Sequence, residues 1–136
     1  MVYRLILTDR ELSYDNYSKD FLIGFFLTQG QAEETARYYL ENVQGFCEYD
    51  CTYGIVKKEI ADNPDHIAPK SVWFVQGWNT NEHLDEIDIV ESSCFLTEER
   101  AREECRLMQR ANERTEWAVS CYYIGDLHWK EGFVRV

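Results

Sequence analysis

Apolar positions along the chain change their period twice, in the same order. Val2 to Thr8 is rich in β-favouring side chains, and after the polar stretch Asp9 to Lys19 a second apolar run, Phe21 to Leu27, reads as its antiparallel partner. Thr28 then stands at an N-cap position, with Gln31 three residues on in the capping-box pattern. From there Ala32, Ala36, Tyr39, Leu40 and Val43 keep helical spacing while Glu33, Glu34, Arg37 and Glu41 fall largely on other faces, and Gly45 is a sensible stop. Strand character returns over Tyr49 to Ile60, a length that suggests a bulge or turn at Gly54.

The same order of elements follows a second time. Ser71 to Trp78 and Glu86 to Leu96 read as strands joined by a loop from Asn79 to Asp85, and Thr97 caps a helix whose buried stripe is Ala101, Cys105 and Met108. Glu98 and Glu99 sit in its positive first turn, and Glu98 with Arg102 and Glu103 with Arg106 are spaced to pair on an exposed face. Trp117 to Ile124 is the last strand, and the tail Gly125 to Val136 is expected to add a short edge element. Residues 26–37 match residues 95–106 at an offset of 69, with six identities in twelve positions: both begin Phe-Leu-Thr and both end in Arg. Near that offset Cys51-Thr52-Tyr53 falls on Cys121-Tyr122-Tyr123, and Val2-Tyr3-Arg4-Leu5 on Val72-Trp73-Phe74-Val75, so duplication is the economical explanation.

These elements predict an α+β fold built from a tandem β-β-α-β duplication, with a mainly antiparallel sheet of about six strands and two helices packed on it. Residues 1–60 form the first repeat, 61–70 a linker holding both prolines, and 71–136 the second repeat, the two making one compact domain. A right-handed crossover places the third strand of each unit beside the first, in the order 2-1-3. One continuous six-stranded sheet is favoured over two packed sheets.

Charge then narrows the classes of function. With 25 acidic against 14 basic side chains and a net charge of −11, the chain is a poor partner for nucleic acid or anionic lipid, which are held by clustered Lys and Arg. Neither half is basic: residues 1–69 carry 6 basic and 12 acidic side chains, residues 70–136 carry 8 and 13. The first ten residues lack the long apolar region of a signal peptide, and no apolar run is long enough to span a bilayer, so a cytoplasmic protein of a bacterium or phage is expected, with no membrane association. Five cysteines, Cys47, Cys51, Cys94, Cys105 and Cys121, are an odd number with no zinc or redox spacing; they read as small buried thiols.

No motif for catalysis, metal or cofactor emerges, and none of the three is assigned. His66 and His83 have acidic neighbours and His128 lies in the tail, but none is placed near a nucleophile, and the Ser92-Ser93-Cys94 segment is explained by packing. Two surface features remain. From Ser71 through Glu99 there is no Lys or Arg and there are seven carboxylates, among them Asp85, Glu86 and Asp88. Trp78 and Trp129 are the tryptophans read as exposed. Together they point to a protein-interaction module of inhibitor, immunity or accessory type, leaning away from enzyme, that binds a basic protein partner through acidic steering and aromatic anchors, with homodimerisation through open edge strands as a further expectation. The alternative is a small-ligand sensor or enzyme with a pocket between the repeats lined by Tyr53 and Tyr123.

Overall fold

The computed structural model describes residues 1–14, 17–80, 87–112 and 115–134. Six strands and two helices follow in the order β1 (Val2–Tyr14), β2 (Tyr17–Phe26), α1 (Gln29–Asn42), β3 (Cys51–Lys58), β4 (Ser71–Thr80), β5 (Ile87–Glu91), α2 (Glu98–Ala111) and β6 (Glu116–Tyr123). The strands make two three-stranded antiparallel sheets, ordered β2-β1-β3 and β5-β4-β6, so the crossover argument gives the right neighbours. Among the described residues the strands do not join into one six-stranded sheet. Residues group into two compact units, the first comprising Met1–Lys57 with Ile124–Val136 and the second Lys58–Tyr123.

In the first unit, β1 and β2 are longer than their apolar runs. The stretch read as a connection, Asp9 to Lys19, is mostly strand: Thr8 faces Asp20, Asp9 faces Lys19 and Tyr14 faces Tyr17. Backbone pairing in a hairpin needs no apolar side chains, and polar cross-strand pairs such as Thr8 Oγ1 donating to Asp20 Oδ1 at 2.7 Å sustain it. A register shift opposite the step from Leu5 to Ile6 marks a bulge at Ile23 of β2. The extra residue resets the alternation of β2, so that Phe26 joins Phe21 and Ile23 in one core with Leu5 and Leu7 of β1 and with Ala32, Ala36 and Tyr39 of α1.

Thr28 caps α1 as expected, its Oγ1 accepting the Gln31 N–H at 3.2 Å. The helix ends at Val43, whose N–H donates to the Tyr39 carbonyl, and Gly45 follows at φ +87. A Cβ there would overlap the ring and carbonyl of Phe133, so glycine serves both the backbone conformation and the close approach.

Phe133 arrives from the far end of the chain. The segment after β6 is not a strand, yet it behaves as an edge: Gly125 N–H donates to the Phe25 carbonyl at 2.9 Å and His128 N–H to the Ile23 carbonyl at 2.8 Å, two alternate carbonyls of β2. It ends with Phe133 N–H on the Gln44 carbonyl at 3.1 Å and the ring stacked on Phe21, with centroids 4.6 Å apart, and edge-on to Phe46 at 4.9 Å. The Tyr39 hydroxyl adds a bond to the His128 carbonyl at 2.9 Å.

In the second unit β4 lies between β5 and β6 and carries buried residues on both faces, Val72 and Phe74 alternating with Val75. α2 packs on β4 and β6. Gly77 lets Trp117 lie against β4, where any Cβ would meet the indole and Thr115. Thr97 caps α2 through the Arg100 N–H. Glu98 pairs with Arg102 as its spacing predicts, but Glu103 pairs with Arg100, three residues earlier, and not with Arg106. β5 stops at Glu91, short of the expected Leu96, because Phe95 turns to exchange both backbone hydrogen bonds with Trp73.

Removing the ring of Phe133 leaves a cavity among Phe21, Phe46 and Tyr49. Phe133→Ala is expected to lower the unfolding free energy by about 3–5 kcal/mol in urea titrations. Burial, with a smaller contribution from the neighbouring Tyr38, holds the Tyr39 phenol above its ordinary value of 10.0. Folding thus favours the neutral hydroxyl; its contribution is complete below about pH 10 and is lost as the pH rises through the elevated value. The urea midpoint of the native protein should therefore fall more steeply than that of Tyr39→Phe between about pH 9 and about pH 11.

Candidate functional site

The strand-to-helix junction of the first unit opens into a groove. It is lined by Phe26 and Leu27, by Gln31, Glu34 and Thr35 of α1, and by Ile124, Gly125 and Leu127 of the tail, around a volume of about 440 Å³. Local chemistry explains the shape. The N-cap at Thr28 turns the chain sharply after Leu27, the spacing i, i+3, i+4 puts Gln31, Glu34 and Thr35 on one helix face, and the bonds to Phe25 and Ile23 hold the tail alongside. Thr35 Oγ1 donates to the Gln31 carbonyl at 2.8 Å, which leaves its oxygen as an acceptor. Glu34 is exposed and is the one ionised group in the lining.

The second unit holds a partly buried polar cluster. Lys58 Nζ lies 2.9 Å from Glu91 Oε2 and 3.3 Å from the Ser92 carbonyl, Gln76 Nε2 donates to Glu91 Oε1 at 3.2 Å, and Ser92 Oγ accepts the Val75 N–H while donating to the Ser93 carbonyl. The Lys58 and Glu91 side chains are 13% and 18% exposed, so the pair is shielded and its members satisfy one another. It knits β4, the end of β5 and Lys58 together and offers no opening for chemistry.

The residues singled out from sequence are scattered. Trp78 is half-buried in the second unit, its Nε1–H donating to Glu116 Oε2 at 2.6 Å. Trp129 lies in the first unit, exposed, its backbone at φ +58 and its ring edge-on to Phe21 at 4.7 Å. Tyr53 on β3 and Tyr123 at the end of β6 are both exposed, and neither lines the groove. Asp85 and Glu86 lie outside the described residues, as does His83; Asp88 pairs with Asn79 in the β4–β5 register. His66 is exposed in the linker and His128 is half-buried in the tail.

All five cysteines are free thiols, but of the five only Cys94 and Cys105 are buried; Cys51 and Cys121 are half-buried and Cys47 is exposed, contrary to the expectation that all are buried. Cys47 lies on the surface in the turns after α1. Cys94 is buried between the backbone groups of Glu59 and Ala61. Burial raises the Cys121 thiol pKa; a hydrogen bond from Ser71 lowers it and Glu98 adds a smaller upward push. Among the described residues no group of three or more His, Cys, Asp or Glu is placed to hold a metal ion, and no helix is long and apolar enough to cross a membrane.

The groove residues were not singled out from the sequence. The helical spacing of Gln31, Glu34 and Thr35 was legible; the arrival of Ile124 and Leu127 beside them depends on a contact across most of the chain. Comparison with protein-family models, with characterised proteins and with solved structures finds no match.

Truncating Lys58 would leave Glu91 shielded without its ammonium. Lys58→Ala should cost about 1–3 kcal/mol of stability in denaturant unfolding. Glu91→Gln, which keeps an oxygen to accept from Gln76 or Lys58, should cost less.

Proposed function

We propose that the protein acts by binding another protein, a basic one, through acidic and aromatic surface, as an inhibitor, immunity or accessory-type module in the cytoplasm. The observation that carries this reading is the coincidence of a net charge of −11 with large aromatic side chains left in solvent: Tyr53 is 46% exposed, Tyr123 63%, Tyr38 59% and Trp129 48%. Carboxylates steer a basic partner and increase its association rate, and aromatic side chains supply anchoring area at low entropic cost. Trp129 and Trp78 differ as anchors. The indole N–H of Trp78 is already engaged by Glu116, and Trp129 is half packed on Phe21.

The two units are read as duplicates, supported by their shared strand order, their 14-residue helices and their threonine caps at Thr28 and Thr97. A second reading, small-ligand binding, is favoured by the groove of the first unit alone. Its lining does not include Tyr53 or Tyr123, the pair that the ligand reading first pointed to.

The test starts from an affinity capture of the tagged chain out of its native lysate at low salt. A stoichiometric basic protein that is released at high salt, and whose association is slowed about tenfold or more by joint replacement of Asp85, Glu86 and Asp88 with Lys, supports the reading. An association rate unchanged by that triple reversal removes the acidic stretch from the mechanism.

A further inference from the structure

We propose that the groove between α1 and the segment Ile124–Leu127 receives an apolar side chain flanked by Lys or Arg, presented by a segment of the basic partner. The proposal rests on the protein-binding reading above and assigns it a site. Three observations carry it. Four of the groove's lining residues are apolar, Phe26, Leu27, Ile124 and Leu127, and Leu27 stays 38% exposed although it directly follows the core residue Phe26. Its volume of about 440 Å³ suits one large side chain with its flanking backbone, within the range of recognition pockets. Its charge has one sign: Glu34 is the ionised lining residue, and α1 carries Glu33, Glu34 and Glu41 against Arg37 alone.

Among the described residues no cation pairs with Glu34, in contrast to Glu98, Glu103 and Glu91, each of which is held by an Arg or Lys of the chain. A Lys or Arg beside the inserted side chain would meet Glu34 at the rim, and the Gln31 amide and Thr35 hydroxyl are placed to bond the segment's backbone. An acidic segment meets repulsion at the same position. The groove thus discriminates by charge at its rim and by apolar fit along its lining.

The experiment is titration of the full chain, followed by the backbone amide signals in nuclear magnetic resonance, with acetyl-Lys-Leu-Lys-amide, with acetyl-Glu-Leu-Glu-amide and with n-butylamine. Expected are saturable shifts at Leu27, Gln31, Thr35, Gly125 and Leu127 with the basic peptide, weakened about tenfold in Glu34→Lys and absent with the acidic peptide. Glu34 is exposed, so Glu34→Gln serves as a folded control with an intermediate affinity. No shift at these residues, equal response to the acidic peptide, or undiminished binding by Glu34→Lys overturns the proposal. So does an equal response to n-butylamine, which would make the site one for a small amine. The two readings fail separately: partner association that is slowed by the Asp85, Glu86 and Asp88 reversal but untouched by Glu34→Lys keeps the interaction module and removes the groove from it.

Discussion

The insertion of Phe133 beneath α1 is the contact on which the first unit depends. Its ring touches Phe21 from β2, Phe46 from the turns after α1 and Tyr49 before β3, so one side chain joins β2 to the segment between α1 and β3. The backbone on both sides is shaped to admit it. Gly45 gives the ring room, and the Gln44 carbonyl receives its N–H. Aromatic packing of this kind is worth more than its area because edge-to-face and stacked geometries add electrostatic complementarity. The cost is paid in loop closure, since the two parts of this unit are separated in sequence by the whole of the second; that cost rises only with the logarithm of the loop length, so a well-packed anchor can meet it.

The tail also solves an edge problem. β2 is the outer strand of its sheet, and the carbonyls of Ile23 and Phe25 would otherwise face water in a form open to pairing with another chain. Gly125 and His128 occupy both. Because the tail lies along β2 while the N-cap at Thr28 turns α1 away from it, a furrow is left between them, and the groove is the geometric result. Edge protection and a candidate binding surface are thus produced by one segment.

What the sequence made legible was the part governed by local rules. Both threonine caps, the buried stripe Ala32, Ala36 and Tyr39, and the strand order within each three-stranded sheet follow from capping chemistry, helical period and crossover handedness. What it hid was decided by distant partners. The apolar pattern ended β1 at Thr8, whereas the hairpin runs on to Tyr14 because β2 continues beside it. The tail is expected as a short edge element, but nothing local marks β2 as the strand that its N–H groups reach. Glu103 has equally spaced candidates on both sides, so spacing alone does not choose between Arg106 and Arg100, with which it pairs. For the candidate site, composition indicated an acidic protein and spacing placed Glu34 with Gln31 and Thr35, but no local feature brought Leu127 to them.

Charge content and available charge differ between the two helices of this chain. α2 is the more highly charged helix, yet its Glu98, Glu99, Glu103 and Glu104 are matched by Arg100, Arg102, Arg106 and Arg110, and two of the pairs are closed in the structure. Glu91, part of the long stretch without Lys or Arg, is held by Lys58 and Gln76. A paired carboxylate presents a dipole, whose field falls off faster than that of a lone charge and is further screened within about 10 Å in salt. α1 has fewer charged residues but an excess of two acids over bases, and Glu34 sits at the rim of an apolar opening. Unmatched charge beside apolar lining is thus what distinguishes the face of α1 from that of α2.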